Sequence, residues 1–256
     1  MKLMYSITTH PGNIREKNED NFRINDLWKK DMKIQKMNKH GKTSTDRFLA
    51  AVCDGMGGEK RGELASLYSV ESLRRRSLKE MPECFLSDVQ QANESVLNII
   101  RQNHGERSGS TLAAMYADEA MGYFVNLGDS RIYQFRNKVL KRLSKDQDRA
   151  QGLIDAGILT EEDAIHTRFS HELLQYLGIF PEETQLDPQI IPPEMMMIND
   201  EYLLCSDGLT DMVSDERIEE ILLHEKSIDE QVKKLLGEAL DNGGKDNITI
   251  IIVKVV

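Results

Sequence analysis

The sequence predicts an α+β fold, antiparallel sheets covered by paired helices, and three observations predict it. Strand-like and helical runs come in blocks instead of strict alternation, which disfavours a doubly wound parallel sheet. Four apolar runs between Thr111 and Leu143 are separated only by turn residues such as Gly128-Asp129 and Asn137, so they read as a meander. Segments with helical apolar spacing occur in neighbouring pairs. A chain of 256 residues, 39% hydrophobic and 30% charged, can bury one large core, and no repeat or low-complexity linker divides 1–256. One domain is expected.

The elements follow in order. Lys2 to Thr9 and Asn21 to Asn25 read as short strands, and Arg47 to Cys53 is a buried-strand run stopped by Asp54-Gly55. A helix is expected from about Gly62 to Ser77, and a second carries Val89, Ala92, Val96 and Ile99 on one face. The four strand-like runs are Thr111 to Ala117, Gly122 to Leu127, Arg131 to Arg136 and Val139 to Leu143. Small helices are expected at about Ala150 to Ala156 and from Thr160, whose hydroxyl and following acids suit a helix start. A strand at Tyr202 to Cys205 precedes a helix capped by Ser214. A second helix sets Ile228, Val232, Leu235 and Leu236 on one face, and Asn247 to Val256 is the terminal strand.

The charge pattern narrows the function classes. Forty-three acidic against 33 basic residues give a net charge of −10, which argues against a partner held through phosphate backbone charge, so no nucleic acid is expected. No run approaches the roughly 20 apolar residues that cross a bilayer, and the first residues lack the apolar stretch of a secretion signal, so no membrane partner and a cytoplasmic location are expected. Cys53, Cys84 and Cys205 are too few and too scattered for a disulfide framework and are expected in the core.

Acidic residues recur where apolar runs end: Asn18-Glu19-Asp20, Asp54-Gly55, Gly128-Asp129, Ser206-Asp207-Gly208 and Asp246-Asn247. Any one of these is explained by the turn preference of Asp and Gly. Five together suggest carboxylates delivered to one rim. Two carboxylates about 6 Å apart at an effective dielectric of about 20 repel by roughly 3 kcal/mol, so a convergent set needs cations. The histidines show no HExxH-type spacing and the cysteines form no thiolate cage, which leaves oxygen ligands and hard ions such as Mg²⁺ or Mn²⁺. Two such ions suit hydrolysis of a phosphate ester.

Arg15-Glu16-Lys17-Asn18-Glu19-Asp20, Asp54-Gly55-Met56-Gly57-Gly58, Gly109-Ser110-Thr111, Gly128-Asp129-Ser130-Arg131, Ser206-Asp207-Gly208-Leu209 and Lys245-Asp246-Asn247 stand in one order along the chain. In that order they resemble the bacterial branch of the type 2C (metal-dependent, PPM) protein serine/threonine phosphatases, over nearly everything from Gly12 to Val253. The resemblance implies a four-layer α/β/β/α sandwich with a binuclear metal centre at one end. It implies Asp54 as the bridging ligand, Gly55 as a carbonyl ligand, Glu19, Asp207 and Asp246 as the remaining protein ligands, and Asp20 as holder of metal-bound water. Arg15 matches the phosphate-binding arginine, Asp129 the acid of a third, weaker ion site, and Asn247 a residue orienting its neighbouring ligand. The implied catalytic residues are Arg15 and Asp54, and the implied mechanism is direct attack on phosphorus by a metal-bridged hydroxide. Substrates would be phosphorylated proteins, with a Ser/Thr protein kinase as a family-level partner.

The sequence also departs from the family. Met56 stands where some relatives have a histidine, Asp146-Gln147-Asp148 lacks another, and His171 to Gly178 matches only loosely. A polar, helical flap is expected at about 146–170. Residues 27–46 are expected as a long basic loop whose lysines, Lys29, Lys30, Lys33, Lys36, Lys39 and Lys42, face solvent; a sharper reading has the loop attract acidic phosphoprotein segments. Met195-Met196-Met197 is read as entry into a buried strand, with a partner surface as the other reading. Two rival functions remain open on sequence: a two-metal phosphoesterase acting on nucleotides, and a non-catalytic phosphoprotein-binding relative. A filled set of ligand positions weighs against the second.

Overall fold

The computed structural model describes residues 1–45, 47–57, 61–75, 83–104, 106–164 and 167–256. Its strands are β1 (Lys2–His10), β2 (Asn21–Ile24), β3 (Leu27–Trp28), β4 (Met37–Ser44), β5 (Arg47–Cys53), β6 (Gly55–Met56), β7 (Gly109–Ser110), β8 (Leu112–Asp118), β9 (Met121–Leu127), β10 (Arg131–Arg136), β11 (Val139–Arg142), β12 (Gln189–Met195), β13 (Glu201–Cys205) and β14 (Ile248–Val255). The helices are α1 (Gly62–Ser72), α2 (Glu83–Gln102), α3 (Arg149–Asp155), α4 (Glu161–Ala164), α5 (Asp207–Thr210), α6 (Asp215–His224) and α7 (Ile228–Asp241). One six-stranded sheet has the order β11-β10-β13-β14-β1-β4 and the other β12-β9-β8-β5-β2-β3, with β6 and β7 forming a small separate ribbon.

Strand alternation explains the layers. Alternate residues of the two sheets, including Phe22, Phe48, Phe124, Tyr202, Ile251 and Val253, meet face to face in a central core. The opposite faces of β5, β8 and β9 pack on α1 and α2 through Leu49, Ala51, Val70, Val89 and Val96. Those of β13 and β14 pack on α6 and α7 through Leu203, Ile250, Ile221, Val232 and Leu235. The result is the α/β/β/α sandwich expected from the sequence.

The expected meander is corrected. β8 pairs with β9 in one sheet, whereas β10 pairs with β11 in the other, so the chain changes sheets at Gly128-Asp129-Ser130. Gly128 makes this crossing with φ +101, a left-handed backbone that glycine adopts without steric cost. Helix α1 is also shorter than expected. Its C-cap Leu73 turns extended to bury its side chain, and the Arg23 guanidinium donates to the carbonyls of Val70 and Leu73, both 2.6 Å, satisfying the helix end. Ser77 lies outside the described residues.

The basic loop is corrected more deeply. Met37–Ser44 forms β4, an edge strand paired along β1, and Lys29 is only 1% exposed, not solvated. Cys53 and Cys205 are buried core residues, but Cys84 is only partly buried. The Met195 side chain is 64% exposed at the end of edge strand β12, Met196 alone enters the core, and Met197 is exposed again. Among the described residues no helix is long and apolar enough to cross a membrane.

Phe124 is fully buried between the sheets, its ring centroid 5.4 Å from that of Tyr202. Phe124→Ala should therefore cost about 3–5 kcal/mol of folding stability, measured by urea denaturation.

Candidate active site

Antiparallel register determines what meets at one end of the sandwich. His10 at the end of β1 lies opposite Ile248 at the start of β14, and Cys205 at the end of β13 lies between Ile250 of β14 and Arg131 of β10. In the other sheet Cys53, ending β5, faces Asn21, which opens β2. The segments just beyond these positions, 11–20, Asp54-Gly55, Gly128-Asp129, Ser206-Asp207 and Asp246-Asn247, share that end. A cavity of ≈ 670 Å³ opens there, lined by Arg15, Glu19, Asp54, Gly55, Asp129, Asp207, Asp246 and Asn247 among others. Asp20 lies buried behind them.

Identifiable bonds hold the segments that carry these carboxylates. Thr111 brackets Asp54: its hydroxyl accepts from the Asp54 N–H at 2.9 Å and its own N–H donates to the Asp54 carbonyl at 2.9 Å. That hydroxyl also lies 2.7 Å from Ser130 Oγ, tying the Asp54 turn to the sheet crossing. Gly55 must be glycine, because a Cβ there would sit 2.2 Å from the Gly62 carbonyl oxygen and 2.5 Å from that of Glu19. Asp20 accepts from Ser206 Oγ at 2.8 Å, which joins the β2 entry to the β13 exit. Asn247 does more than orient Asp246: its Oδ1 accepts from the Glu19 N–H at 2.7 Å, and its Nδ2 donates to the carbonyls of Pro11 and Lys17. It thereby fixes the whole 11–19 turn. Arg15, 58% exposed at its side chain, stands at the rim with Nη2 2.7 Å from Asp246 Oδ2.

The electrostatics are those of a cavity with too much negative charge. Burial, reinforced by Asp20 and Asp207, pushes the Asp54 carboxyl well above the usual carboxylate range. Burial with Asp129 and Asp211 does the same to Asp207. Burial raises Asp129 to about 8, with Asp146 adding to the shift. Glu19 rises to about 7 through burial and its hydrogen bond with Glu63. Asp20 rises to about 6 by burial, held back by bonds from Thr249 and Ser206 and by the Lys29 charge. The buried Oδ1 atoms of Asp20 and Asp207 and the Oε2 of Glu63 have no hydrogen-bond partner. Buried anionic oxygens left this way fit divalent cations, which supply the missing charge and coordination together. The donors that the sequence singles out therefore fit a metal centre.

Two acids at or near the site were not singled out in the sequence. Glu63 reads as an ordinary first-turn helix acid, yet it raises the proton affinity of Glu19 and accepts from Lys17 Nζ at 3.2 Å. Asp211 follows Asp207 by four residues, the spacing of one helical turn, and that signal could have found it. Among the described residues, His171, Asp207 and Asp211 are the three whose ligand atoms lie within 4.8 Å of one another.

Comparison with known proteins shows what the chain resembles in family and fold. Residues 33–242 match the profile of the family described as Protein phosphatase 2C. The chain is 30% identical over 255 residues to the serine/threonine phosphatase stp of Listeria monocytogenes, covering 96% of this chain and 93% of that protein. The crystal structure of the Mycobacterium tuberculosis serine/threonine phosphatase PstP/Ppp superimposes with a TM-score of 0.83 at 27% identity, covering 100% of this chain and 99% of the other. The PstP catalytic domain in complex with two manganese ions gives 0.80 at 28% identity, with 100% of both chains covered.

The raised carboxylates destabilise the metal-free fold as they ionise. Each such group contributes stability that is present below its ordinary value near 4 and lost as pH rises through its folded value, here up to about 8 for Asp129. The melting temperature of chelator-treated protein should accordingly fall between pH 5 and pH 8, and fall less in Asp54→Asn; calorimetry across that range checks it.

Proposed function

The chain belongs to the protein phosphatase 2C family, and we infer that it hydrolyses phosphoserine and phosphothreonine side chains of proteins in this cavity with two divalent cations bound. The observation that carries this reading is the convergence of Glu19, Asp54, Asp207 and Asp246 on one cavity, where the Oδ1 of Asp207, like that of Asp20 behind it, is buried without a partner. Asp54, the Gly55 carbonyl, Glu19, Asp207 and Asp246 would hold the pair, with Asp54 shared, Asp20 acting from behind, and Asp129 contributing to a third, weaker ion. All-oxygen donors suit Mn²⁺ or Mg²⁺. When bound, the cations supply positive charge that draws in the phosphoryl group and acidifies water for direct attack on phosphorus.

The chain's own residues do the remaining work. The Arg15 guanidinium, planar and always charged, binds phosphoryl oxygens in place of its present partner Asp246. Asn247 keeps Glu19 and Arg15 on one rigid turn. In the overall reaction the bond between phosphorus and the Ser or Thr oxygen breaks, water supplies the new P–O bond, and the side-chain oxygen leaves with a proton. No thiolate takes part: Cys53, adjacent to Asp54, points into the helix-side core, and burial pushes its thiol up beyond reach.

The flap is read at about 146–170, between β11 and β12, and the basic insertion 27–46 carries edge strand β4 and reaches the rim near Lys36, the whole forming one catalytic domain. Lys36 acts electrostatically on His10, so the insertion reaches the catalytic end of the sandwich. Substrates are phosphoproteins made by a Ser/Thr protein kinase, and the setting is cytoplasmic signalling.

Phosphate should be released from a phosphothreonine peptide with Mn²⁺ and not after chelation, with near-complete loss in folded Asp54→Asn and Asp207→Asn. Arg15→Ala should lower kcat/KM by roughly 10²–10³. Replacing Lys33, Lys36 and Lys39 together with Gln should lower kcat/KM for an acidic phosphoprotein at low salt and leave it unchanged at high salt, read from steady-state rates at two ionic strengths.

A further inference from the structure

The edges of the two large sheets are not equally open. β3 has two residues, β12 is interrupted at Pro192-Pro193, and β11 has its Leu140 N–H taken by the Glu219 carboxylate at 2.6 Å. β4 has none of these defences. It pairs with β1 through eight consecutive residues without proline or register shift, and among the described residues no strand lies on its other side.

The bonds of β1 determine which β4 groups face outward. The Val256 N–H donates to the Lys2 carbonyl, so even-numbered β1 residues turn their backbone groups toward β14 and odd-numbered ones toward β4. The register sets Leu3, Tyr5, Ile7 and Thr9 against Thr43, Gly41, Lys39 and Met37. The N–H and C=O groups of Asn38, His40, Lys42 and Ser44 therefore point away from β1, as a ladder for another strand.

Charge decides which strand this edge admits. Residues 29–42 hold six lysines and one acid, Asp31, and Lys33, Lys36, Lys39 and Lys42 are exposed. Lysine on an edge keeps other copies away, since a second β4 laid alongside would bring like charges together. An acidic strand meets no such barrier. Lys39 and Lys42, at odd and even positions, stand on opposite faces of the strand, so acids on either face of an added segment find a lysine.

The edge also leads to the cavity. Met37 pairs with Thr9 at the catalytic end, and Gln35 is bonded twice to Asn18: its Oε1 accepts from the Asn18 N–H at 2.6 Å and its carbonyl from Asn18 Nδ2 at 2.9 Å. Asn18 adjoins Glu19, which lines the cavity. β4 runs away from this end, so an antiparallel partner runs toward it.

We propose that the outer edge of β4 receives an acidic, extended segment of the phosphoprotein as an added antiparallel strand, which feeds the phosphorylated residue C-terminal to it into the cavity. The inference rests on the phosphatase reading and goes beyond attraction at a distance: main-chain bonds hold the segment, and the lysines select it.

The test is steady-state hydrolysis, with Mn²⁺, of phosphothreonine peptides that share one core. On the N-terminal side they carry a segment as long as β4 that is acidic, neutral, basic, or acidic with every backbone amide N-methylated. The acidic peptide should have a KM about tenfold below that of the neutral one at equal kcat. N-methylation leaves the charges in place and should abolish the advantage. His40→Pro, which removes one outward N–H, should lower the same ratio toward one, and the double substitution Lys39→Glu and Lys42→Glu should hand the advantage to the basic segment. On metal-free protein, the unphosphorylated acidic peptide should slow amide exchange at Asn38, His40, Lys42 and Ser44. Equal KM for acidic and neutral peptides, or an undiminished advantage after N-methylation, overturns the docking strand. Slowed exchange at the edge with no hydrolysis of any peptide overturns the phosphatase reading and delivery to the cavity, while the strand pairing stands.

Discussion

Mutual repulsion among carboxylates enclosed in one cavity is the constraint around which this end of the molecule is built. Asp20, Asp54, Asp129 and Asp207 all act electrostatically on one another or on shared neighbours, and burial raises the proton affinity of each. A fold that gathers such groups must hold them against their own charge until cations or protons relieve it. The bonds around them have that character. Ser206 and Thr111 tether carboxylate segments from different strands, and Asn247 locks the turn carrying Glu19.

Lys29 shows the same constraint from the opposite sign. Its ammonium is buried, donates to the Asn18 carbonyl at 2.7 Å, and sits where it acts on Asp20, Glu63 and Glu19. Burial pushes its pKa down to about 8, and those carboxylates oppose the shift. Its backbone is clamped to the Asn21 side chain at both N–H and C=O. The connection that carries it therefore contributes an internal cation to the acidic end of the sandwich, in addition to an edge strand.

The parts of the fold that escaped the sequence share a physical cause. β4 reads Met37-Asn38-Lys39-His40-Gly41-Lys42-Thr43-Ser44, mostly polar because an edge strand with solvent beside it needs no alternating apolar face. β12 contains Pro192-Pro193, and its register slips between Ile191 and Glu194, where proline cannot donate to the ladder. β3 is two residues long, below any periodic signal. By contrast β5, β8, β13 and β14, buried on both faces between a helix layer and the opposite sheet, announce themselves as continuous apolar runs.

The fold class, the paired helices and the order of the acidic motifs were legible in the chain, because apolar period and turn chemistry are local properties that a linear pattern records. It also marked Glu19, Asp20, Asp54, Asp129, Asp207 and Asp246 as acids at the ends of apolar runs, and the family resemblance of their motifs implied which of them are ligands. Packing in three dimensions revealed that the chain changes sheets at Gly128, that Lys29 turns inward, and that Asn247 holds Glu19 as well as its neighbour. It alone set His171 beside Asp207 and Asp211, residues 36 and 40 positions further along. The reason is that register and sheet-to-sheet packing bring together atoms remote in the chain, and the charge, burial and ligand geometry of a site exist only once they have met.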